Sequence, residues 1–356
     1  MSRTKGSKLP TVEEITNDPA FPTAIWQLEP HQKGFLPVAV GRGGPLNISW
    51  EIHGEGPIKL LLINGLGIFN TTWQRQTLYF GHQQSSKYSV LIVDNRGMGK
   101  SSRPLIRYST SEMARDLLEV LDHVGWTTAV HICGSSMGGN IVAVIAQELA
   151  CLAPQRVASL ALCGTAAQVE NTTTFAENLG NRVRMFIPKS ADKSVRYTAE
   201  ACFAPGWLTR PDDAELPDPE TTPRVLPSLG EGGRYLMFEN NYARFAAQDI
   251  TKQRDPHGFT RLGFLLQAIA AGWHRKTAAQ LSAMADAVGR ERILVVHGVE
   301  DGMISTPHGR KLIEYLRPGR GLIEDGLGHA PFVERSRWFN GVLEELCADG
   351  ERLSGR

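Results

Sequence analysis

A short apolar segment, a glycine-flanked serine and a second apolar segment follow one another at residues 129–149, and this succession constrains the chain more than any other feature. Residues 129–133 (AVHIC) are typical of a buried strand, and residues 140–149 (NIVAVIAQEL) of a buried helix. Between them Gly134-Ser135-Ser136-Met137-Gly138 matches G-x-S-x-G, a tight turn that exposes its serine at the end of a strand. The small flanking residues permit the strained backbone that such a turn needs. The pattern therefore predicts that Ser136 is a nucleophile.

A nucleophilic serine needs a base, an acid that orients the base and donors for the oxyanion, whereas an ordinary glycine-rich turn needs none of them. Asp301 follows a late apolar strand (292–297), and His329 follows a tight glycine turn before an amphipathic terminal helix. The chain order Ser136, Asp301, His329 differs from the order in the two best-known protease folds. We therefore expect Ser136 as the nucleophile, His329 as the base and Asp301 as the acid.

Two backbone N–H groups are predicted to form an oxyanion hole. The glycine-rich loop Asn64-Gly65-Leu66-Gly67 directly follows an apolar strand (59–63), so it can turn the N–H of Leu66 toward the serine. The second donor is the N–H of Met137, the residue after the nucleophile. Gly65 and Phe69, in and beside this loop, are expected to contact the substrate.

Together with one further turn, these segments resemble the α/β-hydrolase superfamily, and in particular its members with a helical cap inserted in the core. The further turn, residues 94–102 (DNRGMGKSS), is similar to the family's D-x-R-G-x-G-x-S motif. The resemblance covers most of residues 46–165 and 288–346. Many relatives carry His-Gly where this chain has Asn64-Gly65, a pair similar to that of some enol-lactonases. The resemblance implies a serine hydrolase that cleaves a small to medium carboxylic ester or lactone through an acyl-enzyme.

Strand and helix patterns alternate along most of the chain, which predicts a mostly parallel, doubly wound α/β sheet with helices on both faces. The alternating residues 46–53 predict an antiparallel strand at the sheet edge. Residues 1–45 are rich in proline, glycine and charge, and are expected to form an arm that wraps or trails the core. Parallel strands are predicted near residues 59–63, 88–93, 129–133, 157–163, 292–297 and 319–323.

The alternation stops between residues 166 and 285, where the resemblance implies a helical cap that closes over the nucleophile and excludes water. The predicted division is an N-terminal arm (1–45), an α/β-hydrolase core (46–165 and 286–356) and a helical cap (166–285). Apolar side chains of the cap are candidates for the pocket wall, although each could instead pack inside the cap. These candidates are Phe203, Trp207, Met237, Phe238 and Trp273.

Composition and charge exclude several classes of function. The formal net charge is +1, which gives no electrostatic argument for binding nucleic acid or an anionic membrane. No apolar run approaches the roughly 20 residues of a membrane-spanning helix. The basic residues 1–8 precede no apolar segment, and the five cysteines are widely spaced. We therefore expect a reduced, cytoplasmic protein that needs no metal or other cofactor, and the oligomeric state is left open.

Several residues near these motifs have competing interpretations. His297 lies shortly before Asp301 and could be the base, but a loop histidine without a catalytic role is favoured. Glu300 could replace Asp301 as the acid, although the resemblance favours Asp301. Asp94 and Arg96 are expected to be structural, as an ion pair or as groups that stabilise their turn.

The same triad could also serve other activities. A carbon–carbon bond hydrolase, a peptidase or an acyltransferase would use it in the same way, and some relatives keep the fold and the triad as non-catalytic small-molecule receptors. Dehalogenases and epoxide hydrolases are disfavoured, because they carry aspartate where this chain has Ser136. The sequence thus favours a serine hydrolase and leaves the identity of the substrate open.

Overall fold

A single sheet organises the molecule. The computed structural model describes residues 9–135, 144–167 and 190–356. The strands in these ranges are β1 (Gln32–Val38), β2 (Leu46–His53), β3 (Ile58–Ile63), β4 (Tyr88–Val93), β5 (Val130–Ser135), β6 (Val157–Cys163), β7 (Ile293–Gly298) and β8 (Arg320–Glu324). Their order in the sheet is β1-β2-β4-β3-β5-β6-β7-β8. The pairs β1–β2 and β2–β4 are antiparallel, and all other neighbours are parallel. The predicted mostly parallel sheet is confirmed.

Helices connect most of these strands. Those in the described ranges are α1 (Val12–Thr16), α2 (Gln74–Gln76), α3 (Thr110–His123), α4 (Val144–Leu152), α5 (Ala191–Cys202), α6 (Pro205–Leu208), α7 (Asn241–Gln253), α8 (Arg261–Gly272), α9 (Ala278–Val288), α10 (Thr306–Leu316), α11 (Pro331–Glu334) and α12 (Ser336–Leu353). Capping side chains fix several starts, because they satisfy N–H groups that the first turn leaves free. The Ser109 hydroxyl accepts the Glu112 N–H at 3.1 Å before α3, and Thr277 with Gln280 forms a reciprocal capping box before α9.

The central strands are buried on both faces, and each face has its own apolar core. Leu60, Leu62, Cys133 and Cys163 lie in a cluster with α12, α5 and α7. The alternate residues, such as Leu61 and Ile132, lie in a second cluster with α3, α4, α9 and α10. Successive side chains of a strand point to opposite faces, so continuous apolar strands require helices on both sides. This arrangement is the one that the alternating patterns predict.

The edge of the sheet differs from the expectation. β2 is present over the predicted residues 46–53, but β1 pairs along its whole length and is the outer strand. Part of the predicted arm is therefore integral to the sheet, and β2 lies second from the edge. β1 contains Pro37 and exposed polar residues, features that an outer strand tolerates and that conceal it in the sequence.

Residues 9–31 join the core to the segment after β6. The Val12 N–H donates to Asp192 at 2.7 Å, and Leu28 forms a bridge with Val225. Buried α5 and α7 side chains continue the cluster that contains α12. The predicted boundary at residue 285 falls within α9, whose buried Met284 and Val288 contact the opposite core. Among the helices of the described ranges, we find none with the length and apolar character to cross a membrane.

Candidate active site

Four of the parallel strands end at the same edge of the sheet. β3 ends at Ile63, β5 at Ser135, β7 at Gly298 and β8 at Glu324. The carboxyl ends of parallel strands lie on the same edge, so the loops that follow these strands share one region. Asp301 follows β7, His329 follows β8 and Leu66 follows β3. The predicted residues Ser136 and Met137 lie outside the described residues.

The structure brings Asp301 and His329 into contact. Nδ1 of His329 lies 2.7 Å from Oδ2 of Asp301, and both side chains are buried. The other carboxylate oxygen, Oδ1, accepts the N–H groups of Met303 and Ile304, each at 2.8 Å. Nε2 of His329 is buried and has no hydrogen-bond partner among the described residues. With Nδ1–H donating to the acid, Nε2 is the nitrogen that can accept a proton.

Asp301 is held in its ionised form. Burial alone would raise the pKa of this carboxyl, but the adjacent His329 imidazole and its hydrogen bond lower it, as do His297 and the Ile304 N–H. The net pKa of Asp301 lies below its ordinary value. A carboxylate that stays charged can fix the neighbouring imidazole and stabilise its protonated form.

His297 lies within β7, in agreement with the strand predicted at residues 292–297, and not in a loop. Its Nε2 lies 2.8 Å from the Ile304 carbonyl oxygen and 3.4 Å from Oδ2 of Asp301. Burial lowers the pKa of His297, although Asp301 acts in the opposite direction. His297 therefore stabilises the loop that carries Asp301 through its contact with Ile304, in keeping with the structural role favoured from the sequence.

The His329 loop is anchored from two directions. The N–H of His329 donates to the Cys202 carbonyl oxygen at 2.7 Å, and that of Gly328 donates to Oε1 of Glu334 at 2.8 Å. Oε2 of Glu334 accepts the Ala204 N–H at 3.1 Å. The end of α5 and this buried carboxyl thus fix the backbone that carries the imidazole. No sequence motif indicated Glu334, which is separated from Ala204 by 130 residues.

The loop after β3 is tied down by side-chain amides. The Asn64 amide donates to the Val93 carbonyl oxygen at 2.8 Å, and the Asn95 amide donates to the Asn64 carbonyl oxygen at 2.9 Å. The Gly67 N–H donates to Oε1 of Gln267 at 2.9 Å. The Leu66 N–H has no acceptor among the described residues. Among the described residues, the Leu66 N–H is therefore an unused donor of this loop, whereas the Gly67 N–H is bonded to Gln267.

The adjacent turn at residues 94–102 is structural. The Asp94 carboxylate accepts the N–H groups of Asn70 at 2.9 Å and Lys100 at 3.0 Å, so it stabilises the turn. Arg96 makes a buried bidentate pair with Asp116, with both N–O distances at 2.6 Å. Of the two structural roles expected for Asp94 and Arg96, stabilisation of the turn is correct. An ion pair between them is not formed, because Arg96 turns toward α3.

An apolar cavity lies beside the Leu66 loop. It is lined by Gly65, Leu66, Thr110, Met113, Val144, Ile145 and Gln267. Phe69 is half-buried near Gly258. Trp207 and Phe238 are buried in the apolar cluster shared with α12. The Trp273 side chain is 74% exposed. None of these four aromatic residues lines the cavity, and their contact with a substrate stays a prediction.

The described residues offer no separate centre for a metal ion. In residues 9–135, 144–167 and 190–356, no group of three or more His, Cys, Asp or Glu side chains is arranged to hold one. The chemistry that the described residues can perform is proton transfer at Nε2 of His329, supported by the Asp301 carboxylate, beside a loop with a free N–H donor.

Comparison with known proteins places this arrangement in a family. The family model for the alpha/beta hydrolase fold matches residues 60–336. RutD of Azorhizobium caulinodans, whose name describes a carbamate hydrolase, is 31% identical over 47% of this chain and 58% of its own length. The 3-oxoadipate enol-lactonase 2 of Acinetobacter baylyi is 28% identical over 49% of this chain and 57% of its own length. The match thus spans little more than half of each relative.

A solved structure agrees on the fold. The thermophilic esterase from Thermogutta terrifontis superposes with a TM-score of 0.62 at 19% identity, over 90% of this chain and 99% of the esterase. The sheet order, the loops at its carboxyl edge and the extent of the family match lead to one conclusion. The chain belongs to the alpha/beta hydrolase fold family.

Proposed function

We propose that the protein is a serine hydrolase in which Ser136, His329 and Asp301 form a catalytic triad. The observation that carries this proposal is the buried His329–Asp301 pair, whose Nε2 is free among the described residues. β5 ends at Ser135, so the residue proposed as nucleophile is the next one in the chain. The order of the three residues along the chain is the order of this fold family.

The reaction would proceed through an acyl-enzyme. Nε2 of His329 accepts the Ser136 hydroxyl proton while Oγ attacks the carbonyl carbon, and Asp301 stabilises the resulting imidazolium. The Leu66 and Met137 N–H groups hold the tetrahedral oxyanion. When the intermediate collapses, His329 returns the proton to the departing oxygen. A water molecule then attacks the acyl-enzyme by the same route, releases the acid and regenerates Ser136.

The surroundings of the oxyanion loop support the proposed substrate class. The groups that line the cavity beside Leu66, including Met113, Val144 and Ile145, are mostly apolar, which favours an apolar acyl group next to the oxyanion loop. The names of an enol-lactonase and of an esterase among the similar proteins agree with a carboxylic ester or lactone. We propose that the predicted cap, residues 166–285, covers the site, because two of its helices, α8 and the end of α5, contact the loops of Gly67 and His329.

A fluorophosphonate probe tests this function directly, because it reacts covalently with an activated serine. Wild type should be labelled, Ser136→Ala should not, and Ser135→Ala should keep the label as a matched control for the neighbouring serine. The same proteins should be assayed with p-nitrophenyl esters of increasing acyl length. A folded wild type that neither takes up the probe nor cleaves any ester would overturn the proposal in favour of a non-catalytic receptor.

A further inference from the structure

Helix α8 lies against the loop after β3, which carries Leu66, and against the turn at residues 94–102. Gly67 has φ +69°, and a Cβ added there would lie 2.6 Å from the Phe264 ring on α8. A Cβ added at Gly263 of α8 would lie 2.2 Å from the Gly97 carbonyl oxygen, in the turn at residues 94–102. Distances this short leave no room for a side chain. Helix α8 therefore packs directly against the backbone of both loops.

Gln267 is the polar residue at the centre of this contact. Its Oε1 accepts the Gly67 N–H at 2.9 Å, and its Nε2 donates to the Arg96 carbonyl oxygen at 2.8 Å. The side chain is only 2% exposed, so it makes both bonds away from bulk water. One amide thus joins α8 to the β3 loop and to the β4 turn, 200 and 171 residues away in the chain.

The hydrogen bond from the Gly67 N–H to Gln267 also removes one N–H group of the loop after β3 from the possible oxyanion donors. Gly67 is committed to Gln267, whereas the adjacent Leu66 N–H has no acceptor among the described residues. The peptide plane between Leu66 and Gly67 is held at one end by Gln267, and the loop is held at its start by Asn64 and Asn95. Fixing the neighbouring N–H restricts the direction in which the Leu66 N–H can point.

We propose that Gln267 is a positioning residue for the oxyanion hole, acting through Gly67 on the orientation of the Leu66 N–H. This inference rests on the proposed function. An oxyanion donor contributes mostly in the transition state, so its misalignment should lower kcat more than it changes KM. Gln267 lines the cavity proposed for the acyl group, but it touches neither the substrate carbonyl nor the triad in this mechanism.

The chain contains a matched control for the test. Gln74 accepts the Trp26 N–H at 3.0 Å and donates to the Ala24 carbonyl oxygen at 3.1 Å, and it is 5% exposed. It has the same two kinds of backbone partner and similar burial, but it joins residues 24–26 to the segment at 70–83. Gln74→Met and Gln267→Met therefore remove equivalent hydrogen bonds, and only the second touches the oxyanion loop.

The experiment measures kcat, KM and the affinity for a trifluoromethyl ketone, whose serine adduct carries an oxyanion, on the full chain. We expect Gln267→Met to lower kcat about 10- to 100-fold and to lower the affinity for the ketone by a similar factor. KM should stay within about threefold of wild type. Gln74→Met should lower the melting temperature without a comparable change in kcat. Equal losses of kcat in both variants, or unchanged kcat and ketone affinity in Gln267→Met, would overturn the proposal.

A second variant keeps the test informative if Gln267→Met does not fold. Gln267→Glu retains an oxygen for the Gly67 N–H but can donate to the Arg96 carbonyl oxygen only when its carboxyl is protonated. We expect its kcat at pH 6 to stay within about tenfold of wild type, because the bond to the Gly67 N–H, through which Gln267 is proposed to act, is retained. A loss of more than about 100-fold in a folded Gln267→Glu would contradict the inference. A wild type without turnover or probe labelling would refute the proposed function, a different outcome from a catalytic wild type that tolerates both Gln267 variants.

Discussion

Glu334 accepts the N–H of Gly328 at 2.8 Å, so a buried carboxyl holds the residue directly before His329. The Ala204 N–H occupies its other oxygen. Burial raises the pKa of Glu334 to about 7, although these two N–H groups act in the opposite direction. The charge of this anchor therefore changes near neutral pH, which is unusual for a glutamate.

The titration of Glu334 should be visible in the dependence of the free energy of unfolding on pH. The pKa of Glu334 is higher in the folded chain than its ordinary value of 4.5, so its protonation favours folding. The stabilisation that Glu334 provides is fully present below about pH 4.5 and is lost as the pH rises through about 7. We expect the free energy of unfolding of wild type, relative to Glu334→Gln, to fall by about 1 to 3 kcal/mol between pH 5 and 8. Urea denaturation at several pH values measures it.

An exposed glutamate provides the comparison for this measurement. Glu345 pairs with Arg320 at 2.7 Å, but its side chain is 67% exposed. Glu345→Gln should change the free energy of unfolding by less than about 1 kcal/mol at every pH. A difference between wild type and Glu334→Gln that stays constant from pH 5 to 8 would show that Glu334 does not titrate in this range.

The contact between Asp301 and His329 predicts a large catalytic effect. In Asp301→Asn, the amide can no longer accept the Nδ1–H of His329 as a carboxylate does, so the imidazole loses the tautomer that leaves Nε2 free. We expect kcat for a p-nitrophenyl ester to fall about 10³- to 10⁴-fold. His297→Asn, which alters the weaker 3.4 Å contact to the same carboxylate, should cost less than about tenfold. The reverse ranking would make His297 the better candidate for the base.

The buried Arg96–Asp116 pair should matter for stability. Asp116→Asn would remove the charge that faces Arg96, which is 1% exposed. Breaking one partner of a buried pair leaves an uncompensated charge, so we expect a loss of about 3 to 5 kcal/mol in the free energy of unfolding. The measurement is urea denaturation at pH 7. Restoration of stability in a variant that replaces both residues by apolar ones would confirm the cause, and a loss below 1 kcal/mol would contradict it.

The cavity beside Leu66 predicts a change of specificity. Met113 lines this cavity and is 5% exposed, so Met113→Ala should enlarge it and shift the preferred p-nitrophenyl ester to a longer acyl chain. Met284 is 3% exposed and belongs to the same core cluster but does not line the cavity. Met284→Ala should be destabilised similarly, by about 2 to 5 kcal/mol, without changing the preferred chain length. An equal shift in both variants would mean that the cavity is not the acyl pocket.

Most of the sheet could be predicted because each central strand is a short apolar run bounded by turn residues. β1 could not, because Gly34, Pro37 and its exposed polar positions hide a strand that forms only by pairing with β2. The proximity of Asp301 and His329 could also be predicted, since each follows a strand at the same sheet edge. Gln267 and Glu334 were not, because hydrogen bonds across 200 and 130 residues leave no pattern in the sequence.

The contacts of residues 9–31 constrain the order in which the chain can fold. Val12 bonds Asp192 across 180 residues, Gln27 bonds Tyr235 across 208, and Ala24 receives a bond from Gln248 across 224. During synthesis this segment emerges before its partners and cannot complete these bonds until residues 192, 235 and 248 have followed. Non-local closure of this kind is slow and leaves apolar side chains such as Trp26 exposed in the interval. A ribosome-bound chain would thus keep this segment unpacked until residue 248 has left the exit tunnel.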